Sequence, residues 1–230
     1  MTNASTPPLP RHRRLKTLAW AVVWLALGAL SLQFLLGVYA KYRQVDPESY
    51  TMFWTRQGWL WTHLTGGALT VALGPVQFLT RWPRAHSRLH RWSGRLYVLG
   101  IIVGLIGATG LISTSPAPTE IRVAFAATAL AWFSTASVAL AAICRGHVAL
   151  HRRWMTRNYL VTLAPITFRL LLPASMAMGL MPSPVLIAQL LWLSWVLPLL
   201  GYEAVRFAAR SAVRSRPTSS RLSGPHRTTP

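Results

Sequence analysis

Two stretches of the chain repeat one arrangement of histidine, arginine and tryptophan. AHSRLHRWSGRLY runs from Ala85 to Tyr97 and GHVALHRRWMTRNY from Gly146 to Tyr159, both of the form H-x-x-x-H-R-(R)-W-x-x-R-x-Y. They hold two histidine pairs, His86 with His90 and His147 with His151. Imidazoles so placed support two metal chemistries. His90 and His151 could meet from opposite sides on the iron of a b-type haem. Within either pair the i, i+4 spacing puts both rings on one helical face, where zinc would bind. Zinc is the weaker reading, because no suitable acid or cysteine accompanies the histidines. A third reading needs no metal: a basic, aromatic rim that holds anionic lipid headgroups. Phosphate loops, nucleophile elbows and zinc-protease helices are absent, so no catalytic residue is assigned and the question of enzyme activity stays open.

A second set of polar residues lies within apolar sequence. His63, Gly67, Thr70, Gly74 and Gln77 recur at helical spacing and form one small or polar face. Such a face should turn into a helix bundle. An ionisable His63 at that depth calls for a polar partner, a cofactor or a water-filled cavity. The simpler alternative is a neutral histidine bonded to a neighbouring helix, with Gly66, Gly67 and Gly74 permitting close packing. Arg169 falls near the middle of its apolar stretch, where an unpaired guanidinium costs at least a few kcal/mol. Its candidate partners are Gln77, Gln189, threonine hydroxyls, carbonyls freed by Pro165 or Pro173, water, or an anion such as a haem propionate, a quinone oxygen or a lipid phosphate. A purely structural arginine is the competing reading.

The elements that must position these residues are membrane helices. Of the 230 residues 52% are hydrophobic and only 12% charged, too little charge for a soluble protein of this size. Six apolar stretches approach the length needed to cross a hydrocarbon core of roughly 30 Å. They run from Leu18 to Tyr39, Trp59 to Leu79, Leu96 to Thr114, Ile121 to Cys144, Tyr159 to Leu180 and Val185 to Tyr202. The net charge of +20 would suit nucleic acid in a soluble protein. Here the arginines gather before the first stretch, in the second and fourth connectors and in the C-terminal tail, all on one side if six helices alternate. The positive-inside rule makes that side cytoplasmic, with both termini there, and leaves no need for a nucleic-acid partner. The first stretch is too long for a cleaved signal and reads as an anchor. Cys144 is the one cysteine, so no internal disulfide forms.

Aligning the two motifs gives an offset of 61 residues, which pairs the second and third helices with the fourth and fifth. Two hairpins of the same orientation imply a pseudo-two-fold axis along the membrane normal, and sites in duplicated membrane proteins lie at such interfaces. His90 and His151 would then face each other at one depth. With the one-residue insertion, Gly107 corresponds to Arg169. A two-haem arrangement of the cytochrome b561 type would need histidine pairs near both faces. The outer half has only His63, whose counterpart is Ala124, so Met176 or Met178 would have to serve beside it.

The segments HLTGGALTVALGPVQF (His63 to Phe78), LHRWSGRLY (Leu89 to Tyr97) and LHRRWMTRNYLVTLAPITFRLLLP (Leu150 to Pro173) resemble a family of predicted bacterial membrane proteins, domain of unknown function 2306. The likeness covers roughly Gly58 to Leu180, and G-P-x-Q-F, H-R-x-x-G-R-x-Y and H-R-x-W-M-x-R are its most specific parts. It implies a multi-span membrane protein and supplies no reaction.

The expectation is therefore an all-α, polytopic integral membrane protein of the bacterial inner membrane. Six transmembrane helices would contain a duplicated two-hairpin, four-helix core, with the first and sixth helices outside it. Residues 1–17 and 208–230 would be disordered basic cytoplasmic tails around a membrane domain of residues 18–207. The leading functional reading is b-type haem- or quinone-linked redox. It takes His90 and His151 as metal ligands, with His63, Arg169 and Gln77 as further cofactor-binding residues and a redox partner or quinone implied. The alternatives are binding or transport of a small anionic molecule, and a structural membrane protein without a ligand.

Overall fold

The computed structural model describes residues 11–80 and 87–214, and these are helical throughout apart from short turns. Helix α1 spans Arg11–Tyr42. A short α2, Pro47–Tyr50, is capped by Asp46, which accepts from the Ser49 backbone N–H at 2.7 Å and from its hydroxyl at 2.8 Å. A 3-10 turn, Thr51–Arg56, leads into α3, Gln57–Thr80. Then come α4 (Ser87–Ser113), α5 (Thr119–Cys144), α6 (Val148–Thr162), α7 (Ala164–Ala177) and α8 (Pro184–Arg214). The helical ends reach past both expected limits of the membrane domain. The Ala- and Arg-rich sequence beyond Tyr202 has high helix propensity and carries α8 on to Arg214.

Among the described residues four helices are long and apolar enough to cross a membrane: Leu18–Tyr42, Arg88–Ser113, Thr119–Cys144 and Pro184–Ala212. A fifth candidate is the pair α6 and α7, bent by 45° at Leu163. The bend follows from Pro165, whose missing N–H cannot continue the helix ladder. The expected fifth span, Tyr159 to Leu180, therefore falls across this bend. Helix α3 does not reach the same apolarity, because His63, Gln77 and its glycines and threonines dilute its hydrophobic residues.

The two motifs are not connectors. From Ser87 to Tyr97 the first forms the opening turns of α4. The second starts in the turn of Arg145, Gly146 and His147 and lies in α6 from Val148 on. That turn closes α5 by a Schellman arrangement, with the His147 N–H on the Ala142 carbonyl at 2.9 Å and the Gly146 N–H on Ile143 at 3.0 Å. It requires φ of +76° at Gly146, which a residue without Cβ adopts freely.

Helices α3 and α4 form the closest pair. A Cβ at Gly66 would strike the backbone of Gly104 and Gly100, and one at Gly107 would strike the backbone of His63. Helix α5 pairs with α6, and α8 packs on α5, α6 and α7. Val71, Tyr97, Ile101, Trp132, Tyr159, Val161, Leu163 and Ile166 make the central cluster, so α3 to α7 all contribute to it. Helix α1 touches this core from outside through Trp24, Leu27, Leu30 and Phe34.

At the end opposite the motifs, Tyr50 is fully buried, donating to the Tyr42 carbonyl and accepting from the Trp61 indole at 2.8 Å. Arg56 is buried beside it, held by the carbonyls of Met52 and Leu111. A basic residue in an aromatic boundary reads as surface in sequence; here it fastens the 3-10 turn to the end of α4.

Candidate functional site

His90 sits in the first turn of α4 and His151 in the first turn of α6, at the same end of the molecule, each half-buried. The two side chains are near enough to interact electrostatically, and Arg152 is within the same range of His90. Each imidazole turns back onto the preceding helix of its own hairpin. His151 Nδ1 is 2.9 Å from the Ala139 carbonyl, which can only accept, so the proton is on Nδ1. His90 Nδ1 is 3.2 Å from Thr80 Oγ1. Thr80 donates its own proton to the Val76 carbonyl at 2.6 Å, so its oxygen accepts from His90. Both rings are thereby assigned the tautomer that leaves Nε2 with a free lone pair. A metal-ligating histidine is oriented by such a bond on its second nitrogen.

Gln77 secures the same hairpin. Its amide donates to the His90 carbonyl at 3.1 Å and to the Ser93 hydroxyl. Gly94 lies against that amide, since an added Cβ would come within 3.2 Å of the Gln77 oxygen. Gln77 therefore stands beside His90 as a strut whose donor is in use.

His63 does not join them. It lies some four helical turns from Gln77 along α3, about 20 Å at 1.5 Å per residue. Its Nδ1 is 3.0 Å from the Gly104 carbonyl, which fixes the ring across the α3–α4 seam and leaves Nε2 free. The face of α3 that meets α4 most closely is that of Gly66 and Thr70, while Gly74, one turn on, lies against the Tyr159 ring of α6; all three are buried, whereas Gly67 has open space at its Cβ position.

Arg169 is not in the interior of the bundle. It is exposed on α7, with its guanidinium 4.4 Å from the centre of the Phe34 ring of α1. Among the described residues it makes no hydrogen bond or ion pair, so the polar partners expected for it are replaced by a cation–π contact. Gln77 is occupied at His90, and Glu203 pairs with Arg157 of α6 at 2.6 Å.

Of the remaining motif histidines, His147 is exposed and His86 lies outside the described residues. Among the described residues no three His, Cys, Asp or Glu side chains stand together as a metal site.

Sequence reasoning missed a buried polar network between α4, α5 and α6. Tyr97 Oη donates to Asn158 Oδ1 at 2.8 Å and lies 3.0 Å from Thr162 Oγ1. The Trp132 indole donates to Thr162 at 2.8 Å, and Asn158 Nδ2 donates to the Trp132 carbonyl and the Thr135 hydroxyl, both at 3.0 Å. The available signal was Asn158, an amide between the arginine and tyrosine of the second motif. Tyr159, the tyrosine of that motif, is also buried, yet its hydroxyl has no hydrogen-bond partner among the described residues.

The profile of a family described as predicted membrane protein (DUF2306) matches residues 60–203. Searches of curated proteins and of solved structures find no match.

Proposed function

We propose, for a chain that belongs to the DUF2306 family of predicted membrane proteins, that its activity is membrane redox based on a b-type haem held between the two hairpins by His90 and His151. The observation that carries this reading is the shared state of the two imidazoles. They stand at the same end of the molecule, within electrostatic range, each with Nδ1–H turned onto its own hairpin and, among the described residues, no hydrogen bond at Nε2.

The donor set fits this group better than it fits a bare metal ion. Structural zinc takes four protein ligands, whereas a haem would ask the chain for two imidazoles, which His90 and His151 would provide. When bound, haem supplies one-electron transfer. The chain's own part is orientation: Thr80 and the Ala139 carbonyl hold the rings, and Gln77 braces the turn that carries His90. Arg152 provides positive charge near His90 for a propionate.

The same reading takes α3 as a sixth span, shielded by α4 and the core, and the pairs α3–α4 and α5–α6/α7 as a duplicated core. The matching behaviour of His90 and His151 supports the duplication. The excess of arginine at their end supports a cytoplasmic orientation of that end in an inner membrane. The competing reading, an anion-binding or transport cavity, asks His63, Gln77 and Arg169 to face one space. The engagement of Gln77 with His90, and of Arg169 with Phe34, favours the imidazole pair instead.

Haem content of protein purified from haem-replete cells tests the proposal. Wild type and His63→Ala should carry haem, while His90→Ala and His151→Ala should lose it and still elute as folded protein. A colourless wild type, or haem retained by both motif variants, rejects it.

A further inference from the structure

Each motif stacks its arginine on the tryptophan three residues earlier: Arg95 lies 4.9 Å from the Trp92 ring and Arg157 lies 4.6 Å from Trp154. Only the second arginine has an acid. Arg157 donates to Glu203 Oε1 from Nε at 2.8 Å and from Nη2 at 2.6 Å. The whole chain has four acidic residues. Asp46 and Glu48 stand at α2, and Glu120 is in the first turn of α5, all at the opposite end from the motifs. Among the described residues no carboxylate is left to neutralise Arg95, which is exposed.

Helix α4 carries this arginine on a continuous exposed stripe. Arg88, Trp92, Arg95, Leu99, Ile102 and Ile106 recur at steps of three and four and are all exposed. The opposite stripe, from Ser93 and Tyr97 to Gly104, is buried. From Leu99 to Ile106 the apolar part runs about 10 Å along the helix. The face is basic and aromatic at its end and aliphatic below.

We propose that this face of α4 binds one anionic phospholipid, its phosphate on Arg88 and Arg95 beside Trp92 and its acyl chain along Leu99, Ile102 and Ile106. A guanidinium stacked on an indole keeps its N–H fork directed outward, which suits phosphate oxygens. Arg157, in the same stack, receives its anionic oxygens from Glu203; Arg95 must receive them from outside. The aliphatic track makes the occupant a lipid rather than free phosphate. The site does not use His90 or His151, so it stands or falls separately from the haem proposal.

The test is thermal unfolding of the detergent-purified full chain, with or without haem, titrated with phosphatidylglycerol, phosphatidylcholine or inorganic phosphate. Phosphatidylglycerol should stabilise wild type, while the other two should not. Arg95→Gln and Arg88→Gln should each raise the half-saturating mole fraction about fivefold, the worth of one arginine near an anionic surface. Arg210→Gln, which removes an exposed charge on α8, should leave it unchanged. Equal weakening by Arg210→Gln, an equal response to phosphatidylcholine, or stabilisation by inorganic phosphate alone overturns the proposal.

Discussion

Tyr97 and Tyr159 occupy the same position in the two motifs, and changing each to phenylalanine removes the same oxygen with different expected results. Tyr97 is 1% exposed, and its hydroxyl is the donor to Asn158 Oδ1. Without it, that amide oxygen is buried with no donor, since the Asn158 Nδ2 bonds run to Trp132 and Thr135. An orphaned buried acceptor costs about 1–3 kcal/mol in general, and interhelical hydrogen bonds in membranes average about 0.6 and reach about 1.7 kcal/mol. Tyr97→Phe should therefore destabilise the chain by about 1–2 kcal/mol. The Tyr159 ring packs on Gly74 and lies 5.4 Å from Phe78, while its hydroxyl bonds to none of the described residues. Tyr159→Phe should be neutral, or stabilise by up to about 1 kcal/mol, because an unsatisfied polar atom leaves an apolar site. Reversible unfolding in mixed micelles, followed by tryptophan fluorescence, measures both. If Tyr159→Phe loses as much stability as Tyr97→Phe, the two hydroxyls are not in the different environments described here.

Gly66→Ala should weaken the α3–α4 pair by about 1–3 kcal/mol, because its Cβ meets backbone rather than a movable side chain. Gly67→Ala, with open space, should be neutral or stabilise by up to about 1 kcal/mol in the same assay. Glu203→Gln removes the carboxylate from Arg157, but at a half-exposed site it should cost less than about 1 kcal/mol, and the loss should shrink at high salt. The backbone N–H of Ser49, and then its hydroxyl, hold the Asp46 carboxyl below its ordinary value of 3.8. The folded pKa being the lower one, this cap is at full strength above the unfolded value and fades as pH falls through the folded one. The protection of the Ser49 amide against exchange, relative to its intrinsic rate at each pH, should fall on acidification in the wild type by more than in Asp46→Ala.

The parts legible in sequence were those written in local pattern. The H-R-W motifs led to His90 and His151, and the apolar stretches led to long helices. Charge misled at two places. The arginines of the motifs suggested connectors, yet arginine is a good helix former and both motifs are helical. The charge of Arg169 called for a polar partner, whereas Phe34 of α1 supplies an aromatic face. A contact between α1 and α7 joins residues far apart in the chain and leaves no periodic trace. The same is true of Asn158 and Tyr97, 61 positions apart, whose bond exists only once α4 and α6 are packed. Gln77 was legible as an inward polar residue, but its role as a strut at His90 depends on how tightly the α3–α4 hairpin closes.

The most direct test of the central claim is the electron paramagnetic resonance spectrum of the oxidised, purified protein. Two imidazoles on one iron predict a low-spin ferric signal in wild type and His63→Ala, lost or turned high-spin in His90→Ala and in His151→Ala. A high-spin wild type, or no haem signal at all, would contradict the pairing of His90 with His151.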